Sequence, residues 1–68
     1  MDERSAIKTL EKITADATIA RELHIEISTK VDAVVYASEE TFKEHGSRYW
    51  EYYMTLAEQK IKERGYRT

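Results

Sequence analysis

Residues 3–21 carry apolar side chains at the spacing of an amphipathic helix. The apolar stripe consists of Ala6, Leu10, Ile13, Ala17 and Ala20. Apolar residues that recur every three or four positions lie on one helical face. Asp2 or Ser5 can cap the start, because short polar side chains accept hydrogen bonds from the unpaired N–H groups of a first turn. We therefore predict a helix over residues 3–21.

The hydrophobic period changes after residue 21. From Glu22 to Ser28, apolar and polar residues alternate strictly, which is the period of a half-buried β-strand. Residues 31–37 are rich in β-branched side chains, which favour strands. The segment Ser28–Lys30, where the two strands meet, can form a turn. We therefore predict a β-hairpin with strands over residues 22–28 and 31–37.

A second helix is predicted from Ser38 to about Arg64. Ser38 is a favourable capping residue, and two acidic residues follow it in the first turn, next to the positive end of the helix dipole. Gly65 is well placed to end this helix, and Gly46 can kink or break it, with Ser47 as a second cap. The expected fold is a single α+β domain over residues 1–68, in the order helix, β-hairpin, helix.

An all-helical chain is the alternative. One helical face would then hold Ile27, Val31, Val34, Val35, Ser38 and Phe42. We favour the hairpin because strict alternation is followed by a β-branched cluster and then by a strong helix cap.

Four aromatic residues fall within five positions of the second helix. Together with the aliphatic positions of that helix they span an arc of about 200°, whereas packing on one side of a small domain requires little more than about 100°. Tyrosine and tryptophan are also enriched in binding hot spots. We therefore predict that an aromatic helix face, with one tyrosine from the hairpin, binds a partner. The predicted partner-binding residues are Tyr36, Tyr49, Trp50, Tyr52 and Tyr53.

Length and composition favour association with a second copy. The chain has 68 residues, no cysteine and a net charge of −2, so a small core must be stabilised without disulfides. A hairpin alone would leave both its edges unpaired, and two copies pairing edge to edge would cover them. We predict a homodimer of two-fold symmetry. Because no apolar run approaches the ~18 residues of a membrane span, we expect a cytoplasmic protein without membrane contact.

Catalytic and metal-binding signatures are not found in the sequence. His24 and His45 are the only histidines, and they lack a recognised ligand spacing. There is no glycine-rich phosphate loop, nucleophile elbow or dinucleotide fingerprint. We expect neither an enzyme nor a cofactor.

One local segment resembles a helix-turn-helix motif. Thr18–Ile25 resembles the first helix and turn, with Ala20 and Leu23 as packing positions, and Ser28–Tyr36 would be the recognition helix. The resemblance implies an all-α fold and DNA binding. It departs from the motif because His24 stands where glycine is usual. The recognition helix would also offer only three polar side chains to the groove: Thr29, Lys30 and Asp32.

The sequence therefore favours a small, non-enzymatic, regulatory protein-interaction module that binds a protein partner through its aromatic helix face. A DNA-binding transcriptional regulator of the helix-turn-helix type is the first alternative, and nucleic acid is the less favoured partner because the chain is not basic overall. A small structural subunit of a larger assembly is the second alternative.

Overall fold

The computed structural model describes residues 1–66, so the last two residues of the predicted domain lie outside the described residues. Within residues 1–66 all regular secondary structure is helical, and there is no strand. The helices are α1 (Glu3–Thr14), α2 (Ala17–Val35), α3 (Glu39–His45) and α4 (Tyr49–Glu63), with a short 3-10 turn at Gly46–Arg48 between the last two.

The predicted α+β fold, and with it the β-hairpin, is wrong. Residues 22–28 lie inside α2, and residues 31–37 run from α2 into the turn that follows it. Leu23 and Ile27 are fully buried, whereas Ile25 between them is 64% exposed. Two buried residues four positions apart satisfy both a strand period of two and a helical turn of 3.6. The Leu23–Ile27 pair was therefore compatible with either structure, and packing selected the helix, which leaves Ile25 exposed.

The all-helical alternative has the correct fold class but not the correct details. Its predicted face contributes Ile27, Val31 and Val35 to the core, while Val34 is 55% exposed. The turn that a helix-turn-helix would require at His24 is absent, because α2 continues through that position without a break.

The predicted helix over residues 3–21 is interrupted after Thr14. Ala15 adopts a left-handed conformation with φ of 57°, and its N–H donates to the carbonyl of Glu11 at 2.7 Å. Asp16 then caps α2, accepting hydrogen bonds from the N–H groups of Thr18 and Ile19. This break lets α1 turn away from the line of α2 and pack against it.

The caps predicted at Asp2 and Ser38 are confirmed, since each side chain accepts a hydrogen bond from the backbone three residues on. Gly65 ends α4 as predicted, with φ of 83° and hydrogen bonds typical of a Schellman motif. The break at Gly46 is also confirmed. Ser47 does not cap α4, because the residue before that helix is Arg48 and no side chain caps it.

Helix α2 is the centre of the domain and packs against both α1 and α4. The buried hydrophobic core is formed by Ala6, Leu10, Ala20, Leu23, Ile27, Val31, Val35, Tyr53, Ala57 and Ile61. The molecule is elongated, with extents of 38 × 22 × 16 Å. Its surface of 4899 Å² exceeds the roughly 4,450 Å² usual for a folded chain of this mass.

Candidate functional site

An open groove of about 610 Å³ lies between α2, the start of α1 and the α3–α4 region. Helix α2 contributes His24, Ser28 and Asp32 to its lining, and its C-cap residue Tyr36 follows them. The other lining residues are Glu3, Phe42, Gly46, Tyr49 and Trp50. We call this set the aromatic groove, because four of its nine residues are Tyr, Trp or Phe.

The α2 wall of the groove has a regular spacing. His24, Ser28, Asp32 and Tyr36 are each four positions apart, so they form one inclined ridge along the helix. The helical hydrogen bond from the Tyr36 N–H to the Asp32 carbonyl, at 2.8 Å, extends this ridge to the end of α2. The ridge therefore presents an imidazole, a hydroxyl, a carboxylate and a phenol in order along the groove.

Two stacked rings border one end of the groove. The rings of Tyr36 and Phe42 are 5.4 Å apart between centroids and tilted by only 19°. Both remain in contact with solvent, with exposed fractions of 59% and 48%. Gly46 permits this position of Phe42, because a Cβ atom there would lie 3.3 Å from its ring. Large exposed rings held in a fixed arrangement are a feature of interaction surfaces.

Tyr49 links α4 to α2 across the groove. Its hydroxyl donates a hydrogen bond to Oδ1 of Asp32 at 2.8 Å. Partial burial raises the pKa of the Tyr49 phenol, and the hydrogen bond to the Asp32 carboxylate raises it further. The phenol is therefore a neutral donor that holds the carboxylate in position.

A buried polar pair lies beneath the groove. Nδ1 of His24 is 2.7 Å from the Tyr53 hydroxyl, and Nε2 of His24 is 3.4 Å from the Glu3 carboxylate. In the tautomer with the proton on Nε2, which faces the Glu3 carboxylate, Nδ1 accepts the hydrogen bond that the Tyr53 hydroxyl donates. Burial, and secondly the charge of Glu3, raise the pKa of Tyr53 to about 12. The phenol thus stays protonated and keeps the imidazole oriented.

Trp50 forms part of the wall opposite α2. Its ring meets Tyr49 and Tyr53 edge-on, at centroid distances of 5.0 and 5.1 Å. The ring is half-buried, so one side supports the core and the other lines the groove. Such edge-to-face contacts hold aromatic rings in defined orientations.

The five predicted partner-binding residues lie in three environments. Tyr36, Tyr49 and Trp50 line the aromatic groove. Tyr53 is 1% exposed and belongs to the core. Tyr52 is half-buried outside the groove lining, where its hydroxyl lies 2.9 Å from Nδ1 of His45. The structure thus brings three of the five together, and their role in binding stays a prediction.

Six groove residues were not among the predicted partner-binding residues, namely Glu3, His24, Ser28, Asp32, Phe42 and Gly46. The four-residue spacing of His24, Ser28 and Asp32 indicates a shared helical face only if residues 22–37 are first assigned to a helix. Glu3 and Phe42 carry no such signal, because they reach the groove from other helices.

The groove has an acidic character. Its lining contains the carboxylates of Glu3 and Asp32 and no lysine or arginine. Glu26, outside the groove, lies 2.7 Å from Lys60, and this hydrogen bond lowers the pKa of the Glu26 carboxyl. Among residues 1–66, neither groove carboxylate forms an ion pair with lysine or arginine.

The fold and the groove together define a small all-helical domain with one open, aromatic and acidic surface. Comparisons with protein-family models, curated proteins and solved structures find no match for this chain. Within the described part, no helix combines the length and the apolar character needed to cross a membrane. Residues 1–66 also contain no group of three His, Asp or Glu side chains that could hold a metal ion.

Proposed function

We propose that this protein is a non-enzymatic protein-interaction module and that its aromatic groove binds a positively charged segment of another protein. One observation carries this proposal. The groove combines exposed aromatic rings with two carboxylates, and no lysine or arginine lines it.

The exposed rings support binding because much of their apolar surface is still in contact with solvent in the folded protein. Tyr36 and Phe42 are about half exposed, and each would bury a large apolar area against a partner. The surrounding contacts hold the surface in place before binding. Tyr49 is bonded to Asp32, and this reduces the conformational entropy lost when a partner binds.

The charge of the groove selects the partner. A carboxylate that approaches Glu3 or Asp32 would be repelled, whereas a basic segment would be attracted and would regain hydrogen bonds on docking. Duplex DNA carries the same sign of charge as the groove, so this surface does not favour nucleic acid. The predicted homodimer is no longer supported by hairpin edges, because residues 1–66 form no strand.

Selection from a random peptide display library tests the proposal. We expect enriched peptides with a net positive charge that bind the wild-type protein and lose most of their affinity for a Tyr36→Ala/Phe42→Ala double variant. Ile25→Ala is the matched control, because Ile25 is an exposed apolar residue of α2 outside the groove. Failure to enrich any peptide, or binding that survives the double substitution, would overturn the proposal.

Light scattering after size-exclusion chromatography measures the mass of the protein in solution and so tests whether a second copy of the chain occupies the aromatic groove. A monomer leaves the groove available to a foreign segment, as we propose. A dimer that the Tyr36→Ala/Phe42→Ala double variant converts to monomer would assign the groove to a second copy and contradict a foreign partner.

A further inference from the structure

We propose that the aromatic groove contains a site for one arginine side chain, formed by the Tyr36 ring, the Phe42 ring stacked against it, and the Asp32 carboxylate. This inference rests on the proposed function and specifies the group that is recognised. The guanidinium lies flat on the exposed face of Tyr36 and donates hydrogen bonds to Asp32.

The C-terminal end of α2 places the ring of its C-cap residue Tyr36 beside the Asp32 carboxylate. Asp32 and Tyr36 are four positions apart and are joined by a helical hydrogen bond. Side chains at this spacing are neighbours on a helix surface, with Cβ atoms about 5–6 Å apart. A guanidinium is wide enough to contact a ring with its face while its edge reaches the adjacent carboxylate.

Asp32 retains the capacity to accept further hydrogen bonds. Tyr49 donates only to Oδ1, and Asp32 has no other side-chain hydrogen bond or ion pair within residues 1–66. A carboxylate has about four acceptor positions, so Oδ2 and one position on Oδ1 remain. Tyr49 thereby orients the carboxylate without saturating it.

Arginine fits this site better than lysine or a neutral side chain does. Its planar guanidinium stacks on aromatic faces and pairs with a carboxylate through two parallel N–H groups. An ammonium is a compact, strongly hydrated charge that cannot stack in this way. A neutral amide gains neither the charge of Asp32 nor the attraction of a cation to the ring.

Replacement of arginine by citrulline in a selected peptide is the decisive test, since citrulline has almost the same shape and no charge. We expect wild-type protein to bind the citrulline peptide about ten- to a hundredfold more weakly, the range for loss of a charged hydrogen bond. We expect a lysine peptide to bind about two- to fivefold more weakly, as the stacking contact is lost.

Two protein variants assign the effect to the site. In Asp32→Asn, which keeps an acceptor for Tyr49, the arginine-to-citrulline difference should fall to about two- to fivefold, because the carboxylate charge is gone and only the attraction of the guanidinium to the ring remains. In Glu22→Gln, which neutralises an exposed α2 carboxylate outside the groove, it should stay as in wild type. Circular dichroism verifies that both variants are folded.

The outcomes separate this inference from the proposed function. Peptides that occupy the groove and bind equally well with citrulline, or with lysine, overturn the arginine site and leave the protein-binding function standing. An undiminished arginine-to-citrulline difference in Asp32→Asn also overturns the site. If no peptide of any composition binds the groove, both proposals fail.

Discussion

His24 and Tyr53 are 29 positions apart in the chain, yet Nδ1 of the imidazole lies 2.7 Å from the phenol oxygen. Both side chains are buried, with exposed fractions of 8% and 1%. This contact joins α2 to α4 directly beneath the aromatic groove. It is therefore both a structural link between two helices and the support on which the groove lining rests.

Tyr53→Phe should destabilise the protein by about 1–3 kcal/mol. The substitution keeps the ring but leaves Nδ1 of His24 buried without a partner, and an unsatisfied buried polar atom costs about this much. Urea denaturation followed by circular dichroism measures the change. Tyr52→Phe is the matched control, because the Tyr52 hydroxyl is hydrogen-bonded to His45 in a half-buried position. The loss of stability in Tyr52→Phe should therefore be smaller. Equal effects at the two positions would contradict a special role for the buried pair.

Stability should fall as pH rises from about 10 towards 12. Burial raises the pKa of Tyr53 to about 12, above the roughly 10 of an unfolded tyrosine. In this window the folded state holds more protons than the unfolded state, so raising the pH favours unfolding. Urea denaturation at pH 9 and at pH 11.5 tests this. Tyr53→Phe should lose less stability over the same interval, and an identical loss would show that Tyr53 is not responsible.

Ala15→Gly should stabilise the protein by about 0.5–1 kcal/mol. Ala15 has a φ of 57°, in the left-handed region that glycine adopts without the steric cost of a Cβ atom. Thermal denaturation measures the gain. Ala33→Gly, at an exposed helical position of α2, should instead destabilise by up to about 1 kcal/mol. A loss of stability at both positions would contradict the left-handed turn between α1 and α2.

Trp50→Ala should cost about 2 kcal/mol of stability and also weaken peptide binding. Fully buried aromatic residues lose about 3–5 kcal/mol on truncation to alanine, and Trp50 is half-buried with one side towards the groove. Denaturation and peptide titration measure the two effects separately. Ile25→Ala should leave stability within about 0.5 kcal/mol, as is usual for exposed positions. Unchanged binding in the Trp50→Ala protein would remove this ring from the interaction surface.

Sequence alone was sufficient for the features that depend on a few neighbouring residues. The caps at Asp2 and Ser38, the break at Gly46 and the terminating turn at Gly65 were all predicted. Each involves backbone and side-chain groups within about five positions of one another. Such local interactions depend only on residues that are close in the sequence, so they can be recognised before the fold is known.

Tertiary packing decided the structure of residues 22–37 and the composition of the groove. Leu23 and Ile27 fit a strand and a helix equally well as a pattern, and burial against α1 and α4 selected the helix because it also buries Val31 and Val35. Glu3, Asp32 and Phe42 come from three different helices. Side chains so far apart in the chain meet only when helices pack. The sequence therefore showed that the chain is rich in aromatic residues near its last helix, and the tertiary structure decided which of those rings share a surface.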